Sequence, residues 1–328
     1  MNVGRRALLG GLAALTAAPS WARLTSIPAP SRELMVAVTG GRVFVTVTGD
    51  LKAAHPPLVI AHGGPGSTHR AYLEALALAD ERAVILYDQL DSGRSDWPQD
   101  PANWTVPRFV DELEAVRAAL GVGRWHMLGH SWGGTIALEY GARRPAGLAS
   151  LILASPLIST KSWIADADAL RGELPEATRA TLTACESSVP PSQDLCDAAT
   201  TEFYKAFNGR EPAGELAKAY AAADTAAGSK GFDRTLYETM WGDSEFVSTG
   251  TLKDYDGEPL LAKLDGPRTL FMVGQYDEAR PTTAIGFAQR VPGAELAVIP
   301  GAAHGLFGDR PDETIGVLRG WLSRHDAP

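Results

Sequence analysis

The sequence has little of what nucleic-acid-binding or membrane-spanning proteins need. Its formal net charge at pH 7 is -9, and it contains no long basic run. Binding to phosphate backbones depends on clustered Lys and Arg side chains, so a nucleic-acid partner is not expected. No internal apolar stretch approaches the roughly 18 residues of a membrane span, so none is expected in the mature chain. The 328 residues, 45% of them hydrophobic, are enough for a large core.

Cysteine is also scarce. Only Cys185 and Cys196 occur, in the stretch ACESSVPPSQDLC, and no CxxC-type metal spacing is present. In an exported chain two cysteines permit one disulfide, which here would close a short proline-rich loop. The alternative is a pair of buried free thiols. The sequence favours the disulfide only if the chain is exported.

The N-terminus differs in kind from the rest of the chain. MNVGRRALLGGLAALTAAPSWA has a basic start (Arg5 and Arg6), an apolar stretch and small residues before Ala22. This layout predicts that residues 1–22 are a signal peptide cut after Ala22. The paired arginines resemble a twin-arginine signal, although the Phe and Lys that usually follow them are missing. We expect an exported, periplasmic protein; an ordinary secretory signal and an uncleaved anchor are the alternatives.

The pattern after this leader indicates an α/β fold. Residues 33–50 alternate apolar and polar side chains around Gly40 and Gly41, which predicts a hairpin. Short apolar runs typical of buried parallel strands follow, with helical patterns between them. These runs are PLVIAHGG, RAVILYDQ, RWHMLGHS and LASLILAS. Repetition of strand and helix predicts a mostly parallel, doubly wound sheet.

The alternation is interrupted by one long segment. Residues 157–264 are Ala-rich and helical in pattern, and they contain no convincing buried strand. Strand-like runs then return in RTLFMVGQYD and AELAVIPG, followed by a last helix. The sequence therefore predicts one core, formed by residues 23–156 and 265–328, with a helical insertion of residues 157–264.

A candidate nucleophile lies in GHSWGG, residues 129–134. This G-x-S-x-G match follows an apolar strand and precedes a helical pattern, which is the context that the motif requires. Glycines allow strand and helix to pass closely while Ser131 is held in a strained turn. A glycine-rich phosphate-binding turn is the alternative, but no G-x-G-x-x-G or Walker lysine accompanies the motif. Ser131 is therefore the predicted nucleophile.

A serine nucleophile needs a base and an acid. In this architecture the acid and then the histidine follow the serine along the chain. After Asp277, in GQYDE, only His304 and His325 occur, and His325 lies in the polar tail SRHDAP. We therefore predict His304 as the base and Asp277 as the acid that holds its tautomer. Because the base must be neutral, activity should fall as the pH drops through roughly 6 to 7.

The oxyanion of acyl transfer needs aimed N–H donors. AHGGPG closes the first central strand, and we predict the donors to be the backbone N–H groups of Gly64 and Trp132. A plain strand-end turn is the alternative for AHGGPG.

His126 and His130 have an i, i+4 spacing that would suit a metal on a helix. They flank a strand end without a third ligand, so both are interpreted as structural and no metal is expected.

Six motifs together resemble one family. AHGGPG, YDQLDSGRSD, GHSWGG, WGDSEF, GQYDE and GAAH look like the proline iminopeptidase (prolyl aminopeptidase) family of α/β-hydrolases. The similarity runs over nearly all of the mature chain, and HGGPG with DQ-x-x-x-GRS is specific to this family and its close relatives. The resemblance implies a hydrolase core with a helical cap. It also implies removal of an N-terminal residue, preferably proline, from small peptides or amino-acid amides, with no metal or organic cofactor.

The resemblance also implies two residues that bind the substrate's free amino end. These are Glu245, in WGDSEF, and Glu278, directly after the predicted acid. A prolyl N-terminus is a secondary ammonium with two N–H donors, which two carboxylates can both accept. Asp243 departs from the family motif and adds an acid there. Glu202 is a weaker third candidate that by itself reads as part of a solvated helix face.

Three functions remain open on sequence grounds. The leading hypothesis is a serine aminopeptidase. The second is an amino-acid amidase, carboxylesterase or lactonase that uses the same triad. The third is a non-catalytic binding protein, which the presence of every triad member disfavours, although fold alone never fixes function. The sequence leaves the natural substrate, the strictness for proline and the oligomeric state open.

Overall fold

The computed structural model describes residues 24–327, and the predicted signal peptide, residues 1–22, lies outside them. The strands are β1 Arg32–Val38, β2 Gly41–Thr48, β3 Leu58–Ala61, β4 Val84–Tyr87, β5 Trp125–His130, β6 Leu148–Ala154, β7 Thr269–Gly274 and β8 Glu295–Ile299. The α-helices are α1 Val106–Leu120, α2 Trp132–Ala142, α3 Thr160–Arg171, α4 Glu176–Cys185, α5 Gln193–Phe207, α6 Glu215–Ala226, α7 Arg234–Met240, α8 Pro281–Gln289, α9 Leu306–Asp309 and α10 Pro311–Arg324. The 3₁₀ helices are His69–Asp80, Pro101–Asn103, Glu258–Lys263 and Gly266–Arg268.

All of these strands belong to one sheet. Its order is β1-β2-β4-β3-β5-β6-β7-β8. β1 and β2 form the predicted antiparallel hairpin, β2 pairs antiparallel with β4, and the remaining neighbours are parallel. The prediction of a mostly parallel α/β sheet is therefore confirmed. In such sheets, ligands bind at the carboxyl ends of the strands, so the loops after β3, β5, β7 and β8 can meet there.

Strands β3 to β7 are buried on both faces of the sheet, which explains their continuous apolar runs. Within β3, Val59 packs into one core cluster, whereas Leu58 and Ile60 pack into the cluster on the opposite face. The same division separates Met127 from Leu128 in β5. Successive strand side chains point to opposite faces, so a doubly covered strand needs apolar residues at every position.

Residues 157–264, which we name the cap segment, lie between β6 and β7. They contain α3 to α7 and a 3₁₀ helix, and they contribute no strand to the sheet among the described residues. The segment has its own aromatic cluster, in which Phe203 packs on Phe207 and Phe246 with ring centroids 5.0 and 4.6 Å away. A disulfide between Cys185 and Cys196 joins α4 to α5, the pairing that the sequence favoured for an exported chain. No helix within residues 24–327 has the length and apolarity needed to span a bilayer.

Candidate active site

Ser131 stands on a sharp turn between β5 and α2. Its φ is 56° and its ψ is -122°, a left-handed conformation that non-glycine residues rarely adopt. The turn needs glycine at positions 129 and 133, because a side chain at either position would clash with the backbone. A Cβ on Gly129 would lie 2.0 Å from the Gly133 oxygen, and a Cβ on Gly133 would lie 2.1 Å from the Ala61 oxygen. Glycine at both positions therefore lets β3, β5 and α2 pass closely. The strained turn leaves Ser131 half-buried at a cavity.

His304 and Asp277 form a buried hydrogen-bonded pair after β8 and β7. His304 Nδ1 lies 2.9 Å from Asp277 Oδ1, which also accepts the N–H of Ala279 at 2.9 Å. The other oxygen, Oδ2, accepts the Ser155 hydroxyl at 2.5 Å and the Gly274 N–H at 2.8 Å. Four donors thus fix the carboxylate. An acceptor at Nδ1 selects the tautomer that leaves Nε2 available as a base.

One cavity of about 470 Å³ brings the predicted site residues together. Ser131, His304, Gly64, Glu245 and Glu278 all line it. They come from the loops after β5, β8, β3 and β7, and from the cap segment. The cavity size suits a small ligand. The structure therefore brings together residues that are far apart in the chain, since Gly64 and His304 are separated by more than 200 positions.

The backbone at AHGGPG distinguishes between the two adjacent glycines. The Gly63 N–H donates to the Tyr72 hydroxyl at 3.1 Å and is already engaged. The Gly64 N–H has no protein acceptor within residues 24–327. Gly64 has a φ of +107°, and a Cβ there would lie 2.7 Å from the Ser67 nitrogen. Trp132 opens α2, where N–H groups lack intrahelical acceptors. Gly64 and Trp132 thus keep donors that an oxyanion could use.

The two predicted amine-binding carboxylates have different surroundings. Glu278 Oε1 accepts the Asn208 amide at 2.7 Å and lies 3.5 Å from His304 Nε2. Glu278 Oε2 is buried and has no hydrogen-bond partner among the described residues. Glu245 Oε1 accepts the Tyr237 hydroxyl at 2.6 Å. A buried carboxylate oxygen without a donor is costly, so this site favours a bound cation or donor.

The carboxylates and the imidazole perturb one another. Burial raises the pKa of Glu278, the charge of His304 opposes this rise, and the charges of Glu245 and Asp277 add to it. Burial also raises the pKa of Glu245. Burial lowers the pKa of His304, but Glu278, Asp277 and Glu245 together raise it by more, so its pKa lies above the ordinary histidine value. The substrate-free cavity therefore favours a proton on or beside His304.

His130, interpreted from the sequence as structural, supports the backbone of His304. Its Nε2 donates to the His304 carbonyl at 2.8 Å, and its Nδ1 accepts the Tyr72 hydroxyl at 3.1 Å. The rings of the two histidines have centroids 4.6 Å apart. Burial and the nearby His304 charge lower the pKa of His130 to about 3. His130 is therefore neutral, and its hydrogen bond to the His304 carbonyl holds that backbone in place.

The end of α5 is hydrogen-bonded directly to the two loops that carry the acids and the base. The Phe207 carbonyl accepts the N–H groups of both Glu278 and His304 at 3.1 Å. The Asn208 carbonyl accepts the Gly305 N–H at 2.7 Å. No sequence pattern marks Asn208, because these contacts join residues far apart in the chain. The cap segment thus positions Glu278 through both backbone and side chain.

The other candidates have surroundings of their own. Glu202 accepts the Thr178 hydroxyl within the cap segment, and Asp243 is exposed at the cavity. His126 contacts Ser150 Oγ at 2.8 Å and is buried. His325, in the polar tail, is partly buried and stacks on the ring of Trp321, with the ring centroids 3.9 Å apart. Across residues 24–327, no cluster of three or more His, Cys, Asp or Glu side chains is arranged to hold a metal ion.

Comparisons with known proteins give a consistent result. A family model for the alpha/beta hydrolase fold matches residues 56–311. A proline iminopeptidase of Heyndrickxia coagulans is 35% identical over 296 residues, which cover 89% of this chain and 98% of that protein. A proline iminopeptidase of Levilactobacillus brevis is 36% identical over 293 residues, which cover 87% of this chain and 94% of that protein. The crystal structure of a proline iminopeptidase from Mycobacterium smegmatis superposes with a TM-score of 0.81 at 35% identity, covering 90% of this chain and 99% of that one.

Proposed function

Because the chain belongs to the proline iminopeptidases of the α/β-hydrolase fold family, we propose that it is a serine aminopeptidase. It releases an N-terminal residue, preferably proline, from small peptides or amino-acid amides that carry a free N-terminus. One observation carries this proposal. Glu278 and Glu245 line the same cavity as Ser131 and His304, and one Glu278 oxygen has no donor among the described residues.

In the first half of the reaction an acyl-enzyme forms. Ser131 Oγ attacks the carbonyl carbon of the first residue while His304 Nε2 takes the hydroxyl proton. The carbonyl oxygen becomes an oxyanion, which the N–H groups of Gly64 and Trp132 stabilise. The tetrahedral intermediate then collapses. The bond to the leaving amine breaks, and His304 gives that amine its proton.

In the second half water releases the product. His304 takes a proton from a water molecule, whose oxygen attacks the acyl carbon on Ser131. Collapse of the second tetrahedral intermediate returns a proton to the serine oxygen and frees the amino acid. Asp277 stabilises the imidazolium in both halves, because its four donors hold it against Nδ1.

The glutamates select the free amine. A prolyl ammonium has two N–H donors, and Glu278 and Glu245 provide acceptors for both as charge-assisted hydrogen bonds. The unpaired Oε2 of Glu278 gains a donor, and the ammonium charge compensates buried negative charge. A substrate without this charge provides no cation for either carboxylate. Recognition of the amine thus rests on charge as well as on shape.

Acetylation of the substrate amine tests this assignment. N-acetylprolyl-p-nitroanilide should have a kcat/KM about 10² to 10⁴-fold below that of prolyl-p-nitroanilide, because two hydrogen bonds to charged groups, worth about 1.5–3 kcal/mol each, are lost. N-methylprolyl-p-nitroanilide keeps the charge and one donor, so its loss should be intermediate. Kinetics of the three anilides measure the effect.

Equal turnover of the free and acetylated anilides would contradict the aminopeptidase assignment. It would support the alternative of a carboxylesterase or lactonase on the same triad. Rapid hydrolysis of several amino-acid amides with little preference for proline would instead support an amino-acid amidase. A panel of aminoacyl-p-nitroanilides separates these outcomes.

Export is part of the same proposal. Residues 1–22 have the layout of a twin-arginine-like signal. The disulfide between Cys185 and Cys196 supports an oxidising compartment, where such bonds persist. Cell fractionation should recover the chain from the periplasm, starting at residue 23 by N-terminal sequencing and carrying no free thiol. A full-length cytoplasmic chain with two titratable thiols would contradict export.

A further inference from the structure

The atom of His304 that must act as the base is next to a carboxylate. His304 Nε2 has to accept the proton of Ser131, yet it lies 3.5 Å from Glu278 Oε1. A neutral imidazole with its lone pair at Nε2 would direct that lone pair toward a carboxylate oxygen. A proton on Nε2 converts this contact into an ion pair. The geometry without substrate thus favours the imidazolium, which cannot act as a base.

The charges on every side of His304 act in the same direction. Asp277 contacts Nδ1, Glu278 faces Nε2, and Glu245 faces the imidazole from the cap segment. His130, packed on the other ring face, is neutral. Further out lie Asp166 and Arg280 near Asp277, and Asp243 and Arg234 at the cavity. Within residues 24–327, His304 is the only buried cation beside the carboxylates that touch or face its ring.

We propose that Glu278 keeps a proton on His304 in the substrate-free enzyme, and that the ammonium group of a substrate releases this proton by taking the Glu278 carboxylate. The inference rests on the proposed amine recognition and extends it to the catalytic base. Glu278 is then a specificity-determining residue twice. It binds the amine, and it makes the base available only when an amine is bound.

The proton balance of this step is simple. The substrate ammonium keeps its own protons and pairs with Glu278 and Glu245. The imidazolium keeps Asp277 at Nδ1 but loses the compensation of Glu278 and Glu245 and faces a nearby cation, so its Nε2 proton passes to solvent water. His304 becomes neutral and can accept the Ser131 proton. No bond forms or breaks other than the N–H bond that dissociates and the O–H bond formed in water.

This arrangement predicts opposite effects of one substitution on two substrate classes. Glu278→Gln should weaken turnover of prolyl-p-nitroanilide, yet it should speed hydrolysis of the neutral ester p-nitrophenyl acetate below neutral pH. Removing the negative charge of Glu278 lowers the pKa of His304. The pH at which kcat/KM for the ester begins to fall on the acidic side should therefore move down by one unit or more. One unit means about tenfold more neutral imidazole, so the ester rate at pH about 6.5 should rise roughly tenfold.

A matched variant controls for a general loss of charge. Glu202 lies in the cap segment outside the cavity, and its carboxylate accepts the Thr178 hydroxyl. Glu202→Gln should leave the acidic limb on the ester at its wild-type position. An unchanged limb in Glu278→Gln, or an equal shift in Glu202→Gln, would overturn the proposal.

The wild-type enzyme provides a second measurement that needs no variant. The kcat/KM profile on p-nitrophenyl acetate reports the free enzyme, and the kcat profile on prolyl-p-nitroanilide reports the amine-bound complex. The acidic limb of the anilide kcat profile should lie at lower pH than the acidic limb of the ester kcat/KM profile. Coincident limbs would overturn the proposal even if Glu278→Gln fails to fold.

The outcomes also separate this inference from the proposed function. If N-acetylation abolishes turnover but the acidic limbs of the two pH profiles coincide, the aminopeptidase assignment stands. Only the control of the base by Glu278 is then wrong. Unimpaired turnover of the acetylated anilide would remove the aminopeptidase assignment itself, and this inference with it.

Discussion

Replacing Ser131 with alanine should lower kcat/KM for prolyl-p-nitroanilide by roughly 10⁴-fold or more, since removal of the nucleophile of a catalytic triad removes the covalent route. Hydrolysis of p-nitrophenyl acetate should fall in parallel, because both substrates are acylated at the same oxygen. Binding should persist, because Glu278, Glu245 and Gly64 remain. Steady-state kinetics with both substrates, and the binding of prolinamide to the variant by calorimetry, measure these effects.

Ser67 offers a matched control for this substitution. It also lines the cavity, but it does not occupy the strained turn between β5 and α2. Ser67→Ala should keep most of the activity on both substrates. A folded Ser131→Ala variant with wild-type turnover would remove the acyl-enzyme mechanism entirely.

The substitution Asp277→Asn should lower kcat by about 10³ to 10⁴-fold on both the anilide and the ester, with little change in KM. Asp277 Oδ1 accepts the Nδ1–H of His304, and its carboxylate receives three further donors. An amide cannot accept all of these hydrogen bonds, so the imidazole loses the tautomer that exposes Nε2. The measurement is kcat and KM for both substrates.

The neighbouring substitution should behave differently. Glu278→Gln should raise KM for prolyl-p-nitroanilide and leave the ester rate unchanged at high pH, where His304 is neutral in both proteins. If Asp277→Asn and Glu278→Gln lost the same activity on both substrates, the assignment of chemistry to one acid and recognition to the other would be wrong.

The pH dependence expected from the sequence changes once the surroundings of His304 are known. A histidine with an ordinary pKa gives an acidic limb between about pH 6 and 7. In the structure, Glu278, Asp277 and Glu245 raise the pKa of His304 despite its burial. For the free enzyme we therefore expect the limb above pH 7. The two acids in GQYDE are responsible for most of this difference.

The sequence by itself determined the fold class and the candidate chemical groups. Strand periodicity and the G-x-S-x-G turn are local patterns, which burial on both sheet faces and backbone sterics produce. The order of Ser131, Asp277 and His304 follows from the order in which the strands of this fold occur along the chain. Glu278 and Glu245 required the family resemblance, because a lone glutamate carries no local signal. The signal peptide remains a prediction from residues 1–22.

Only the tertiary structure decided how these groups interact. It placed Glu278 Oε1 3.5 Å from His304 Nε2, left Oε2 without a donor among the described residues, and brought Asn208 of the cap segment against the same carboxylate. It also showed that Gly63 is engaged by Tyr72, whereas Gly64 is not. Burial and electrostatic fields depend on groups far apart in the chain, so no local pattern in GQYDE contains them.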